Sequence, residues 1–202
     1  MSGVSVALTG ASGLQYGLRL VQTLAGAGET VHLLVSDAAR VVAGLETDTP
    51  LPRRSAELHR QLVGALGIDP ARLHVYSDQQ WTAPLASGSA APQRMVVCPC
   101  TTGTLAAVAG GHSDSLIERA ADVVLKERGQ LVVVPRETPL SAIHLEHMLS
   151  LARLGVVVLP ANPGFYHRPQ RVEDLIDFVV ARILDHLDVA HDLGPRWGKE
   201  SD

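Results

Sequence analysis

Aromatic side chains make up only 3% of this chain of 202 residues, and cysteine is nearly absent. The two cysteines, Cys98 and Cys100, are spaced for neither a disulfide framework nor a zinc site, which needs four ligands. No apolar run approaches the roughly 20 residues of a membrane span. A net charge of −4 argues against nucleic-acid and membrane-surface partners. The first residues lack a signal-peptide pattern, so we expect a cytoplasmic protein.

Short apolar runs alternate with segments of helical period along the chain. Most of the runs are continuous Val/Leu stretches, which suit strands buried on both faces. Alternating strands and helices predict an α/β fold: a Rossmann-like, three-layer α/β/α arrangement around a mainly parallel, doubly wound sheet. We expect one domain over residues 1–202, with a surface arm at 189–202. Strands are predicted at 4–8, 31–35, 73–76, 95–97, 131–134 and 156–159, and helices at 14–27, 37–45, 56–66, 104–109, 115–128, 141–154 and 172–187.

Two turns between a strand and a helix are rich in small and hydroxyl residues. In open α/β sheets, ligands lie beyond the carboxyl ends of the strands. The first turn, T-G-A-S-G at Thr9–Gly13, lets backbone N–H groups approach a phosphate at a helix end. It is not G-x-G-x-x-G, so a dinucleotide is not indicated, and a ligand-free tight turn is the alternative. The second turn, Cys98–Thr104, adds three threonines and a glycine, and the pair favours a mononucleotide.

Two proline-rich loops carry polar side chains at later strand ends. Arg136 and Glu137 lie in P-R-E-T-P, where the two prolines fix the loop. Arg136 can clamp a phosphate and Glu137 can serve as an acid or base, although an ordinary Arg/Glu loop has the same composition. Tyr166 lies in the turn Pro160–Pro169 and is either a donor to a ligand oxygen or a packing residue.

Three cations on helices and one tryptophan are further candidates. Arg119 and Lys126 lie two turns apart on one helix face, which is either a phosphate-binding face or a solvated edge paired with Asp122. Arg182 lies at the seam of the last helix's buried stripe, from which it can reach along the core edge toward a site. Trp81, in a Gly/Ser/Pro-rich loop, either covers a site with its ring or plugs the surface.

The acidic cluster on the last helix superficially resembles an Asp-rich motif that holds magnesium. Glu173, Asp174 and Asp177 are predicted to project away from the buried stripe, so we interpret them as a solvated face. His144 and His147 form H-L-E-H rather than the H-E-x-x-H of zinc proteases. We therefore expect no metal site.

Taken together, these segments resemble the flavin prenyltransferase (UbiX-type) family, also described as the partner of 3-octaprenyl-4-hydroxybenzoate carboxy-lyase. The resemblance spans Thr9 to Trp197 in family order. The matching pieces are T-G-A-S-G-x-x-Y-G, E-T-D, W-x-A-P-x-A-S-G-S, M-V-V-C-P-C-T-T-G-T-L, L-I-E-R-A-A-D-V-V-L-K-E-R, P-R-E-T-P, I-H-L-E-H-M-L, P-A-N-P-G-F-Y-H-R-P and the terminal P-R-W. Thr101 stands where a serine is common and keeps the hydroxyl.

The resemblance implies a flavin site, a prenyl phosphate site and a set of acting residues. FMN would be held by Gly10, Ala11, Ser12, Ser36, Thr101, Thr102, Gly103, Thr104 and Arg136. The phosphate of dimethylallyl monophosphate would be held by Lys126, Arg136, Tyr166 and Arg182, with Arg119 beside them. Glu137 and Ser12 would move protons, Trp81 would stabilise the allylic cation, and Glu46 would act across a subunit interface.

The resemblance also implies a reaction and an assembly. A metal-independent transferase would join the dimethylallyl group to N5 and then C6 of reduced FMN, in a dodecamer of stacked trimers. The product would serve UbiD-type decarboxylases linked to ubiquinone synthesis or aromatic-acid decarboxylation.

Two other classes of protein stay open. A flavin-dependent decarboxylase of cysteine thiol groups would share the flavin site but has no need of the cations and Tyr166. A non-catalytic flavin-binding subunit would need neither those residues nor Glu137.

Overall fold

The computed structural model describes residues 3–194, in which six strands alternate with seven α-helices. The strands are β1 (Val4–Leu8), β2 (Val31–Val35), β3 (Leu73–Tyr76), β4 (Arg94–Cys100), β5 (Gln130–Pro135) and β6 (Val157–Val158). The helices are α1 (Leu14–Gly26), α2 (Asp37–Glu46), α3 (Ser55–Leu66), α4 (Thr102–Gly110), α5 (Leu116–Lys126), α6 (Ala142–Arg153) and α7 (Val172–His186). Short 3-10 turns occur at Pro70–Arg72 and Pro84–Ala86.

The six strands form one sheet in the order β3-β2-β1-β4-β5-β6, and every pairing is parallel. β1 lies at the centre, with Val4 opposite Val31 of β2 and Arg94 of β4. The strand order reverses between β1 and β4, which is the switch point where such folds bind ligands. The expected Rossmann-like, doubly wound architecture is confirmed.

Each face of the sheet carries its own hydrophobic cluster. One cluster packs α1, α2, α3 and α7 against the strands, and the other packs α4, α5 and α6 against the opposite face. The four central strands are almost fully buried, as their mainly apolar runs predict, whereas the edge strands β3 and β6 are partly exposed. Gly17 lets α1 lie directly on the sheet, because a Cβ there would come within 2.3 Å of the Cys98 carbonyl oxygen.

The end of the chain differs from the prediction in two places. The predicted buried stripe of α7 is incomplete at its start, because its first apolar residue, Val172, is 68% exposed and the fully buried residues begin at Val179. The surface arm predicted at 189–202 starts too early, because Val189 is buried and Leu193 packs against the core. The remainder of that arm, including the terminal P-R-W, lies outside the described residues. In the described part of the chain, no helix is long and apolar enough to cross a membrane.

Candidate active site

The carboxyl ends of four neighbouring strands gather most of the predicted flavin residues. In the sheet order β2-β1-β4-β5, these ends lead respectively to Ser36, Gly10–Gly13, Thr101–Thr104 and Arg136. The four segments are distant in sequence and adjacent in space. The structure therefore brings the predicted flavin residues together at one edge of the sheet.

The amino-terminal end of α4 is the most open anion-binding position at this edge. Thr101 caps the helix, its Oγ1 accepting from the Thr104 N–H at 3.0 Å and donating to Thr104 Oγ1 at 2.9 Å. The N–H groups of Thr102 and Gly103 belong to the first turn of α4, where no helical carbonyl lies four residues earlier to accept from them, so they point out of the helix end. A Cβ on Gly103 would meet nothing nearer than the Thr101 hydroxyl at 3.9 Å. This helix end offers both donors and space to a phosphate.

The turn at the end of β2 is packed closely against the turn at the end of β1. Ser36 caps α2 by accepting from the Ala39 N–H at 3.1 Å, and its own N–H donates to the Leu8 carbonyl at 3.0 Å. Only glycine fits at position 10, because a Cβ on Gly10 would lie 2.4 Å from the Ala38 Cβ. The glycine thus allows the first turn of α2 to border the site.

The amino-terminal end of α1 is occupied by a carboxylate of the same chain. Glu46 Oε2, from the last residue of α2, accepts from the Gly13 N–H at 2.8 Å and the Leu14 N–H at 3.4 Å. Burial alone would raise the pKa of the Glu46 carboxyl. The opposing effects are larger and hold this pKa below its usual range: hydrogen bonds from Ser12, Gly13 and Leu14, and the charge of Arg136. The Gly13 and Leu14 N–H groups are therefore already engaged, contrary to the prediction that this helix end receives a phosphate. Action of Glu46 across a subunit interface stays a prediction.

Arg136 and Glu137 follow β5 and are exposed, and the charge of Arg136 acts on the Glu46 carboxylate. The Arg136 guanidinium donates through Nε to the Ser12 carbonyl at 3.2 Å, which links the end of β5 to the end of β1. Glu137 Oε1 accepts from the Thr138 N–H at 3.0 Å. Ser12, Glu46 and Arg136 thus form one polar cluster, with Glu137 next to it in the chain.

The loop after β6 reaches the same edge. The Ala161 N–H donates to the Pro135 carbonyl at 3.2 Å, which attaches this loop to the end of β5. Tyr166 lies farther along and is 80% exposed. Trp81 follows β3, the outer strand of the sheet, and is 46% exposed. Their contacts with ligands stay predictions.

Lys126 and Arg182, the two helical cations of the predicted phosphate cage, are not brought to this edge within one chain. Lys126 ends α5 just before β5 begins, so the length of β5 places it about 20 Å from Arg136. Arg182 lies about 15 Å along α7 from Val172 and pairs with Asp185 at 2.6 Å.

Arg119 holds a loop to α5. It donates to the Ala86 carbonyl at 3.1 Å and pairs with Asp122 at 2.8 Å, the contact expected in the alternative interpretation.

Of the three acids of α7, Glu173 and Asp174 lie on the solvent side as predicted, and Asp177 does not. Asp177 is half-buried and pairs with Arg19 of α1 at 2.7 Å. Asp174 accepts from the Gln170 and Arg171 N–H groups at the helix end, and Glu173 pairs with Arg171 at 3.2 Å. Each acid thus has a partner of its own.

Two residues that hold the site together were not predicted from the sequence. Thr9 Oγ1 donates to the Pro99 carbonyl at 2.7 Å and accepts from the Thr101 N–H at 2.9 Å, which fixes the ends of β1 and β4 to each other. A hydroxyl directly after a buried strand is the signal that points to it. Arg40 donates to the carbonyls of Val35 at 3.3 Å and Leu51 at 3.0 Å, and only its tertiary contacts reveal this role.

The two cysteines at the end of β4 are unreactive. Burial, helped by the neighbouring Cys100, raises the pKa of Cys98 far above its usual range, and burial raises the pKa of Cys100 to about 12. Both thiols stay protonated at neutral pH, so neither provides a thiolate nucleophile.

Two sequence comparisons place this chain among known proteins. The family described as Flavoprotein matches residues 2–184. The flavin prenyltransferase UbiX of Pseudomonas aeruginosa is 55% identical over 203 residues, which cover 99% of this chain and 97% of the relative.

Solved structures agree with these matches. The crystal structure of AnUbiX (PadA1) in complex with FMN and dimethylallyl pyrophosphate has a TM-score of 0.87 and 39% identity, covering 98% of both chains. The dodecameric FMN-dependent UbiX-like decarboxylase from Escherichia coli O157:H7 has a TM-score of 0.86 and 40% identity, covering 97% of this chain and 99% of that one.

Proposed function

Because this chain belongs to the flavoprotein family and, within it, to the flavin prenyltransferases of the UbiX type, we propose that it transfers the dimethylallyl group of dimethylallyl monophosphate to N5 and C6 of reduced FMN. The observation that carries the proposal is the convergence of two capped helix ends and Arg136 at four adjacent strand ends. Such an edge provides both phosphate donors and a fixed cation.

The residues present fit a flavin mononucleotide. The open helix end at Thr102 and Gly103 suits its phosphate, and the hydroxyls of Ser36, Thr101 and Thr104 lie on the same edge. Gly10, Ala11 and Ser12 provide the small-residue border on which a flat ring can lie. Since Glu46 already occupies the α1 helix end, the phosphate is directed to α4.

The chemistry follows from where charge develops. Reduced FMN supplies the two ring atoms that accept carbon. As the allylic C–O bond breaks, the phosphate takes the bonding pair, and Arg136 stabilises that growing negative charge. We expect Glu137 and Ser12 to carry the proton transfers. N5 loses a proton on bonding to the allylic carbon, the prenyl double bond gains a proton as C6 closes the ring, and C6 then loses its own proton, for which the released phosphate is a further base. Trp81 can stabilise the allylic cation by about 0.5–2 kcal/mol if its ring covers it.

The phosphate cage needs more than one copy of the chain. Lys126 lies at the opposite edge of the sheet from Arg136, so a neighbouring copy must supply it. Large apolar side chains stand exposed on α2 and α6, among them Leu45 at 80% and Ile143 at 62%, on helices that begin or end at the site. These surfaces support assembly into a homo-oligomer, for which we propose a dodecamer.

The product implies a further partner. A flavin carrying a fourth ring is useful only to an enzyme that needs it, and we propose delivery to a UbiD-type decarboxylase, with both proteins in the cytoplasm.

The test is an anaerobic reaction of the purified protein with reduced FMN and dimethylallyl monophosphate in the presence of EDTA. We expect a released flavin heavier by one five-carbon unit, because arginines and lysine take the place of magnesium at a monophosphate. Unchanged FMN in fully loaded protein contradicts the proposal and favours a decarboxylase or a flavin-binding subunit. Activity that EDTA abolishes and magnesium restores contradicts the metal-independent mechanism alone.

A further inference from the structure

A groove with two cations lies at the amino-terminal edge of the sheet, opposite the flavin residues. It has a volume of about 520 Å³ and runs between the turn from α5 to β5 and the start of β6. Its walls include the apolar side chains of Leu125, Leu131 and Leu154, and its cations are Lys126 and Arg128. Apolar walls beside positive charge suit the phosphate end of a molecule with a hydrocarbon tail.

Arg128 occupies a backbone position that normally belongs to glycine. Its φ of 57° is left-handed, and it directly follows the C-cap of α5. The Arg128 N–H donates to the Leu125 carbonyl at 3.1 Å and the Gly129 N–H to the Val124 carbonyl at 2.8 Å, the hydrogen-bond pattern that ends many helices with glycine at this place. A bulky residue here carries a backbone cost, which directs attention to its side chain.

The charge of Arg128 is the one that is not compensated in this groove. Lys126 pairs with the carboxylate of Glu127, which offsets part of its charge. Within residues 3–194, the Arg128 guanidinium takes part in none of the ion pairs, while Arg119 and Arg182 are both paired. The groove therefore presents two neighbouring cations, of which Lys126 is paired with a carboxylate and Arg128 can bind an anionic ligand.

We propose that Arg128 is a further substrate-binding residue, which lies beside Lys126 and holds the second phosphate of dimethylallyl diphosphate in a neighbouring copy, and so extends the substrate range to this diphosphate. This inference rests on the proposed function, in which Lys126 serves a neighbouring copy. A diphosphate carries more negative charge than a monophosphate, and the planar guanidinium can bind two of its oxygens at once. Arg128 thus supplies the charge that magnesium supplies in other prenyl diphosphate enzymes.

Arg128→Gly tests this without endangering the fold, because glycine relieves the left-handed backbone. We expect an unchanged or higher melting temperature, a loss of about tenfold or more in kcat/KM with dimethylallyl diphosphate, and a change of less than about threefold with dimethylallyl monophosphate. Asp188→Gly is the matched control, since Asp188 has a φ of 54° and the same hydrogen-bond pattern after α7. It should gain the same backbone relief and keep activity with both substrates.

Three outcomes overturn the inference while the proposed function stands. The wild-type protein uses the monophosphate and not the diphosphate, or Arg128→Gly leaves both activities intact, or it lowers both equally. A wild-type protein that prenylates FMN with neither substrate removes the proposed function itself. Inorganic diphosphate should also inhibit the wild type more strongly than Arg128→Gly, whereas inorganic phosphate should inhibit the two alike.

Discussion

Glu46 determines which helix end in this site is available to a phosphate. A carboxylate and a phosphate compete for the same positive helix end, and the carboxylate here belongs to the chain itself. The donors left to a ligand are those of α4, where Gly103 faces open space. Glu46 also accepts a hydrogen bond from the Ser12 side chain, so the same carboxylate engages the end of α1 and orients the Ser12 hydroxyl.

Glu46→Gln should destabilise the protein by about 1 kcal/mol near pH 7, the usual contribution of a charged cap. The net lowering of the Glu46 pKa means that the stabilisation exists above the ordinary carboxyl range and is lost as pH falls through the folded-state pKa. The difference between the wild type and the variant in urea denaturation should therefore shrink on acidification. A difference that is constant with pH contradicts an ionised cap.

Glu137→Gln separates binding from chemistry. The swap keeps the shape and removes the charge, so FMN should bind nearly as before, while turnover falls by roughly 100-fold or more, as on losing a general acid or base. FMN titration and single-turnover mass spectrometry measure the two effects. Unchanged turnover excludes Glu137 from the proton transfers.

At the scale of elements, the sequence predicted the strands better than the contacts between them. β1, β2 and β3 match their predicted bounds, because each is a short, mostly apolar run bounded by glycine or polar residues. α4 begins at Thr102, two residues earlier than predicted, because Thr101 caps it. The contact between Glu46 and Gly13 joins residues 33 apart, and no local pattern encodes it.

Gly103→Ala tests whether the open end of α4 receives the flavin phosphate. The chain has room for the methyl group, so the fold should be kept, and alanine is a better helix former than glycine. A methyl group pointing into a bound phosphate should nevertheless weaken FMN binding by about tenfold or more. Gly64→Ala, at an equally open position inside α3, is the control and should gain up to about 1 kcal/mol without affecting FMN. Equal FMN affinity in both variants places the phosphate elsewhere.

At the scale of the whole molecule, the sheet separates residues that the sequence grouped into one cage. The flavin residues were predictable because the carboxyl ends of parallel strands meet at one edge. The same rule places the helix end before β5, and so Lys126, at the other edge, whereas the family resemblance had grouped Lys126 with Arg136 in a single cluster. The proposed site therefore combines residues of two copies, and such a combination depends on shape complementarity in the assembly, which local sequence does not encode.

Mixing two inactive variants tests this division between copies. If Glu137 acts in the copy that binds FMN and Lys126 comes from its neighbour, then co-expressed Lys126→Ala and Glu137→Gln chains form some sites that have both native residues. Random mixing in equal amounts gives roughly a quarter of such sites, so about a quarter of the wild-type activity should return. Arg136→Ala mixed with Glu137→Gln is the control, since both residues follow β5 in the same copy, and it should recover nothing. If the first mixture also stays inactive while the oligomer is intact, Lys126 and Glu137 act within one chain. The two side chains, which lie about 20 Å apart at opposite edges of the sheet, would then have to approach each other by a rearrangement of that chain.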